Sequence, residues 1–353
     1  MIVEKKTPMT EKEYRKIPML SSSDLQAFIK DRRKFYEDTV LGGKSTEEEY
    51  SKAKLIGNLV HCLLLEPDEF EGRFMLTTVK NPPTAMMLIF VESLFKHTKL
   101  GFVDDEQTQE FDSLIALAYE DSGYKITQDA VLKKFTTVGK DGDKPQDYFE
   151  QLMQAWGENK EVVCVDDITI AEKIVQQVRE DEFVGPLFAV GQDAFNELKI
   201  DGFDMFGLEM KGMVDRVIID HNNKTIQPYD LKVTYDVVNF KREYFLKKRT
   251  HIQMFVYWRA LMSGKADLGF NYNDYEVLFP KLIVAHSGCF YKPLLYDLGK
   301  TGIDNCEKGF EVNGIQYPGV MEIIEDILWA QETGNWSISK KNFENDGKVA
   351  IFD

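Results

Sequence analysis

Two runs rich in β-branched and apolar residues, 207–219 and 225–234, lie on either side of Asn222-Asn223. Such a pattern constrains the chain to an antiparallel hairpin, because Asn tolerates the positive φ of a two-residue turn. With that turn as pivot, Asp215 lies seven residues before Asn222 and Asp230 seven after Asn223. The two acids then stand opposite each other on one sheet face, Cβ atoms about 5 Å apart. Like charges repel there, so a purely structural hairpin gains nothing from them. A divalent cation between them turns repulsion into coordination, and hard carboxylate oxygens suit Mg²⁺ or Mn²⁺. Lys232 falls on the same face by the strand period of two. Two carboxylates and an ammonium around one point are the parts of metal-assisted phosphodiester hydrolysis. The rival readings are a hairpin of solvated charges, and a register displaced by a bulge at Pro228.

The rest of the chain frames this hairpin. Ser21-Ser22-Ser23-Asp24 followed by Leu25, Phe28 and Ile29 predicts a capped helix running to about Tyr36. A Gly-Gly-Lys-Ser loop at 42–45 precedes a second helix over 47–65, closed by Glu66-Pro67. Residues 85–182 keep helical spacing, broken at Gly101, Gly123, 139–145 and Gly157. After Gly185-Pro186 strands are expected at 195–200, 207–219 and 225–234, then a helix over 240–262, strands at 275–285 and 289–296, and a helix near 320–330. The expected class is α/β (α+β), a mixed sheet flanked by helices with a helical N-terminal elaboration. Residues 1–353 read as one domain, mainly helical over 1–185 and with the sheet core in 186–353.

Composition narrows the function. At 43% hydrophobic and 12% aromatic residues the chain is not a disordered one. It has no apolar run near the 18 or so residues of a membrane span, and its start has no signal-peptide core, so a cytoplasmic protein without membrane contact is expected. Cys62, Cys164, Cys289 and Cys306 form no CxxC pair, which leaves no zinc-ribbon or cluster spacing. The net charge of −16 argues against a general polyanion binder, although Lys247, Lys248 and Arg249 make a local basic patch. His61 sits on a helix apolar on nearly every side, with Gly57 one turn earlier; it reads either as a core histidine or as a metal ligand. Arg249, Gln253 and Tyr257 recur every four residues along one helix edge, either a cleft rim or an ordinary polar boundary.

These motifs, in order, resemble the PD-(D/E)xK nuclease superfamily, and within it the RecE-type exonucleases (exonuclease VIII) related to the RecB nuclease domain. The resemblance rests on Ser22-Ser23-Asp24-Leu25, Gly57 to His61 with Leu65-Glu66-Pro67 and Phe70, Lys211 to Asp215, Asp230-Leu231-Lys232, and Gln253 to Tyr257. It implies that His61, Asp215 and Asp230 hold Mg²⁺ or Mn²⁺, that Lys232 is catalytic, and that Gln253 and Tyr257 line the site. It also implies a 5′→3′ exonuclease on double-stranded DNA ends, a homo-oligomeric ring (trimer or tetramer), a single-strand annealing partner, and a phage or prophage origin in a bacterial cytoplasm. Val214 precedes Asp215 where the pattern has Pro, and Asp230 replaces Glu. The cysteine quartet of members with an iron–sulfur cluster is absent, so no iron–sulfur cluster is expected. Residues 80–160 match nothing in the pattern. Ser22, Ser23, Arg32 and Arg33 read either as 5′-phosphate contacts or as a helix cap with a solvated basic end. Glu197, on the strand before the hairpin, is left out of the ligand set, because its facing depends on whether the turn near Gly202 has two or three residues. An endonuclease or single-strand nuclease on the same fold, or a catalytically silent DNA-binding protein, are the alternatives.

Overall fold

The computed structural model describes residues 9–42, 51–80, 82–83, 85–103, 106–107, 110–139 and 142–348. The first eight residues, most of the 42–45 loop and the start of the helix expected over 47–65 lie outside the described residues. The chain forms two compact units. One combines Met1–Glu66 with Glu172–Asp353, and the other is Pro67–Ala171.

The larger unit is built on a six-stranded mixed sheet. Across it run Leu294–Asp297, Lys281–His286, Thr225–Thr234, Leu208–Asp220 and Ala194–Met205, with short Glu276–Val277 beside the start of Thr225–Thr234. Thr225–Thr234 is parallel to Lys281–His286 and to Glu276–Val277, and the remaining pairs are antiparallel. Parallel neighbours need a long crossover, and the helix Thr250–Met262 lies within it. Val214, Val217 and Ile226 of the sheet share one core with Ile252, Phe255 and Val256 of that helix and Ile323, Ile324 and Ile327 of Val320–Thr333. The helix Lys52–Leu65 packs on Thr225–Thr234 and buries seven apolar residues, as its nearly all-round apolar surface requires. The expected α/β class is the observed one.

The hairpin keeps its register but not its turn. Asp220 pairs with Thr225 and Arg216 with Tyr229, without a bulge at Pro228. The loop has four residues, 221–224, rather than two. The Asp220 carboxylate accepts the amides of Asn222 and Asn223, both at 2.9 Å, and Lys224 takes the positive φ of 51°. The two-residue turn belongs instead to Phe206-Gly207, which follows the Met205–Leu208 pair with positive φ at both residues. Gly202 marks a bulge where the register shifts between Ile200 and Phe203.

Other boundaries move for local reasons. The expected 240–262 helix divides into a π-helical turn, Lys241–Leu246, and Thr250–Met262, because Arg249 between them is left-handed at φ 55°. The 22–36 helix stops at Lys30, where Asp31 caps a further turn, Arg32–Phe35. The strand expected over 289–296 shrinks to Leu294–Asp297. The helix Gly299–Lys308 and the hairpin Gly309–Val312 with Ile315–Pro318 carry no strong sequence signal and were not expected.

The smaller unit packs Ala85–Leu100, Phe111–Ser122, Gln128–Thr136 and Pro145–Gly157 around Phe90, Leu94, Leu114, Val131 and Phe135. A parallel pair, Phe74–Leu76 with Glu161–Val163, completes it. Among the described residues no helix is long and apolar enough to cross a membrane.

Candidate metal centre

The site forms where the ladder of the hairpin stops. The last backbone pair is Arg216 with Tyr229, so Asp215 and Asp230 come next on their strands. Asp215 uses its side chain to continue the ladder, Oδ2 accepting the Leu231 amide at 2.8 Å. Its Oδ1 accepts the Tyr257 hydroxyl at 3.3 Å, and that hydroxyl accepts the Gln253 amide at 2.6 Å. Burial, then the charges of Asp215 and Asp230, push the Tyr257 hydroxyl well above its ordinary range, so it stays a donor.

Asp230 is fully buried. Its Oδ1 accepts the Lys232 ammonium at 2.7 Å, and its buried Oδ2 has no hydrogen-bond partner. Burial pushes its carboxyl up to about 7, against the pull of Lys232 and with the help of Asp215. An ionised acid left in that state is costly, and a cation is one means of relieving it.

His61 comes from the helix Lys52–Leu65. Its Nε2–H donates to the Leu231 carbonyl at 2.8 Å, which turns Nδ1 toward the acids. Nδ1 lies 3.7 Å from Glu197 Oε1 and 3.8 Å from Asp215 Oδ2. Burial pulls the imidazole pKa down, and Glu197 and Asp215 more than offset it, so the net direction is upward.

Glu197 is the residue that sequence reasoning left aside. Asn196 pairs with Arg216 and Leu198 with Val214, so Glu197 stands across from Asp215. It takes φ 46°, a strained backbone for a residue with a Cβ. Its facing follows from the Phe206-Gly207 turn, whereas the expectation placed the turn near Gly202. Ligand atoms of His61, Glu197 and Asp215 all lie within 4.8 Å of one another. Asp230 stands outside this triplet, tied to Lys232.

A clamp holds the helix end in place. Asn196 donates to the Leu65 carbonyl at 2.7 Å and accepts from Arg216 at 2.5 Å, while Arg216 also donates to the Leu187 carbonyl at 2.8 Å. At Gly57, a Cβ would meet no atom within 4 Å, so the face one turn before His61 is open.

Other candidates serve elsewhere. Arg249 precedes the crossover helix, and Gln26 binds its carbonyl at 3.1 Å; it does not extend the Gln253–Tyr257–Asp215 chain. Lys247 and Lys248 are exposed. Arg32 pairs with Asp326 and Arg33 with Glu37, while Ser21 and Asp24 form the helix cap that neighbours Ser22 and Ser23. Lys211 is buried and donates to the carbonyls of Tyr14 and Ile17 at 3.1 and 2.8 Å. It closes the end of the helix Glu11–Lys16 rather than joining the acids.

No family model matches the chain, and no curated protein does. Among solved structures, a crystal structure of a "Putative exonuclease" from Eubacterium rectale aligns over 99% of this chain and 96% of that one, at 12% identity and a TM-score of 0.45.

Proposed function

We propose that the chain is a Mg²⁺-dependent deoxyribonuclease of the PD-(D/E)xK type. Its activity is 5′→3′ exonucleolytic degradation of linear double-stranded DNA from its ends, leaving 3′ single strands. The observation that carries the reading is the meeting of His61, Glu197 and Asp215 within 4.8 Å, beside the ion pair of buried Asp230 with Lys232 on the adjoining strand.

The donor set fits a hard divalent cation: two carboxylates, an imidazole that sheds its proton to bind, and the unpartnered Asp230 oxygen. His61, Asp215 and Glu197 hold the ion, with Asp230 as a further ligand through its unpartnered Oδ2. When bound, Mg²⁺ or Mn²⁺ polarises the scissile phosphate and lowers the pKa of an attacking water. Lys232, fixed by Asp230, orients or activates that water. Tyr257, braced by Gln253, holds the Asp215 carboxylate in its aim. The ring-shaped homo-oligomer and single-strand annealing partner belong to the same reading through the family resemblance.

The test is cleavage of linear duplex carrying a label at the 5′ or the 3′ end, beside covalently closed circles, with Mg²⁺ and with EDTA. Early release of the 5′ label from linear DNA, with circles intact, is expected. Cut circles would replace the exonuclease with an endonuclease, and an inert protein would leave only DNA binding. Light scattering reads the assembly size in the same samples.

A further inference from the structure

The sheet face that carries Asp230 and Lys232 continues past them. Thr234 follows Lys232 at the strand period, and its partner on the parallel neighbour is His286, so His286 shares that face. His286 is buried, and three aromatic rings surround it. Centroid distances are 5.5 Å to Tyr235, 5.5 Å to Phe290 and 5.2 Å to Tyr291. Yet Tyr235 is 78% exposed, Phe290 79% and Tyr291 54%. A single surface aromatic is ordinary, but a cluster at the edge of a candidate centre marks a binding surface.

The loop that presents these rings is a built one. His286 Nδ1 accepts the Gly288 amide at 2.8 Å. Cys289 takes φ 55°, a left-handed backbone that costs a non-glycine residue stability. A Cβ on Gly288 would stand 3.0 Å from the Phe290 ring, so the glycine leaves room for that ring. Backbone strain that ends with a phenylalanine in water returns nothing to the fold.

We infer that Tyr235, Phe290 and Tyr291 form a stacking platform for unpaired bases of a DNA strand beside the scissile phosphate. The inference rests on the nuclease reading. Aromatic faces hold bases without regard to sequence, which suits degradation of any strand. They add no charge, so a chain of net charge −16 gains grip next to its acids without a basic groove. Tyr235 follows directly on Thr234, the last residue of the strand that carries Asp230 and Lys232.

The test is fluorescence anisotropy of a labelled single-stranded oligonucleotide in EDTA, where no strand is cut. The Tyr235→Ala/Phe290→Ala/Tyr291→Ala variant is expected to bind roughly 10- to 100-fold more weakly. The unaltered protein should bind an abasic strand as weakly as that variant does. Phe290→Trp should keep its affinity and show tryptophan quenching when the strand is added, which decides the matter even if the triple variant does not fold. Unchanged affinity, indifference to abasic sites, or no quenching overturns the platform. So does an affinity loss that tracks a fall in assembly mass, which makes the patch an interface between copies. The two readings fail separately: a protein that cuts DNA with these rings irrelevant loses only the platform. One that grips bases through them but never cuts loses only the nuclease assignment.

Discussion

His61 and His251 both lie on apolar helices of the larger unit, His251 fully buried and His61 partly, and their surroundings drive them in opposite directions. His61 faces Glu197 and Asp215, which outweigh burial and raise its pKa. His251 is ringed by Phe245, Phe310 and Tyr317. Burial takes it down to about 4, with the Pro318 carbonyl opposing and Arg249 assisting. Its Nδ1 has no partner. Both positions sit on helices apolar on nearly every side, so helix periodicity does not distinguish a ligand from a filler. What differs is the neighbouring chain: strands bearing acids in one case, an aromatic hairpin in the other.

The contrast breaks most sharply in catalysis. Lys232→Met should lower Mg²⁺-dependent cleavage by on the order of 10²–10⁴-fold with an unchanged circular-dichroism spectrum, while His251→Phe, which keeps an aromatic ring among Phe245, Phe310 and Tyr317, should leave the rate of the folded protein unchanged. Full activity in Lys232→Met would remove Lys232 from the chemistry.

Stability against pH comes next. The folded pKa of His251, about 4, lies below its ordinary 6.5, so the folded state binds fewer protons than the unfolded one between those values. Stability is then lost as pH falls from 6.5 to 4, by about 3 kcal/mol. His251→Leu should abolish that part of the acid slope in thermal melts, and an unaltered slope would contradict the environment described. Asp230 works the other way. Its folded pKa of about 7 exceeds the ordinary 3.8, so metal-free stability is lost as pH rises from 3.8 to 7. Asp230→Asn should therefore melt higher than the parent at pH 8 in EDTA, while cleaving no DNA with Mg²⁺.

The smallest effect sharpens the His61 side alone. Gly57→Ala fills open space in a helix interior, and should add about 0.5–1 kcal/mol to stability. If DNA approaches over that face, KM for DNA rises while the melting temperature also rises. An unchanged KM would take Gly57 off the substrate path.

The sequence made part of this legible. Asp215, Asp230 and Lys232 could be aligned because a hairpin has one pivot and a strand one period, and the longer turn kept the same pivot. Helical spacing put Gln253 and Tyr257 on one edge but left cleft rim and polar boundary equally open; only the family resemblance assigned them to the site. Glu197 did not, since its facing depends on a bulge at Gly202 and a turn at Phe206-Gly207, and a one-residue slip sends it to the other face. Arg249 was misjudged because a left-handed residue interrupts an otherwise helical pattern. The rings around His286 were beyond reach, because exposure of an apolar residue is a tertiary outcome that composition does not record.

The larger unit is made from two stretches of chain, and His61 and the Leu231 carbonyl it binds are 170 residues apart. On a ribosome adding about 5–20 residues per second, that separation is roughly 10–30 s. Pro67–Ala171 emerges whole within that interval, whereas the helix bearing His61 must wait for strands not yet synthesised. Nascent chains are thus without an assembled centre until Thr225–Thr234 leaves the exit tunnel, and the acids of Glu197, Asp215 and Asp230 arrive together, late, around an imidazole already made.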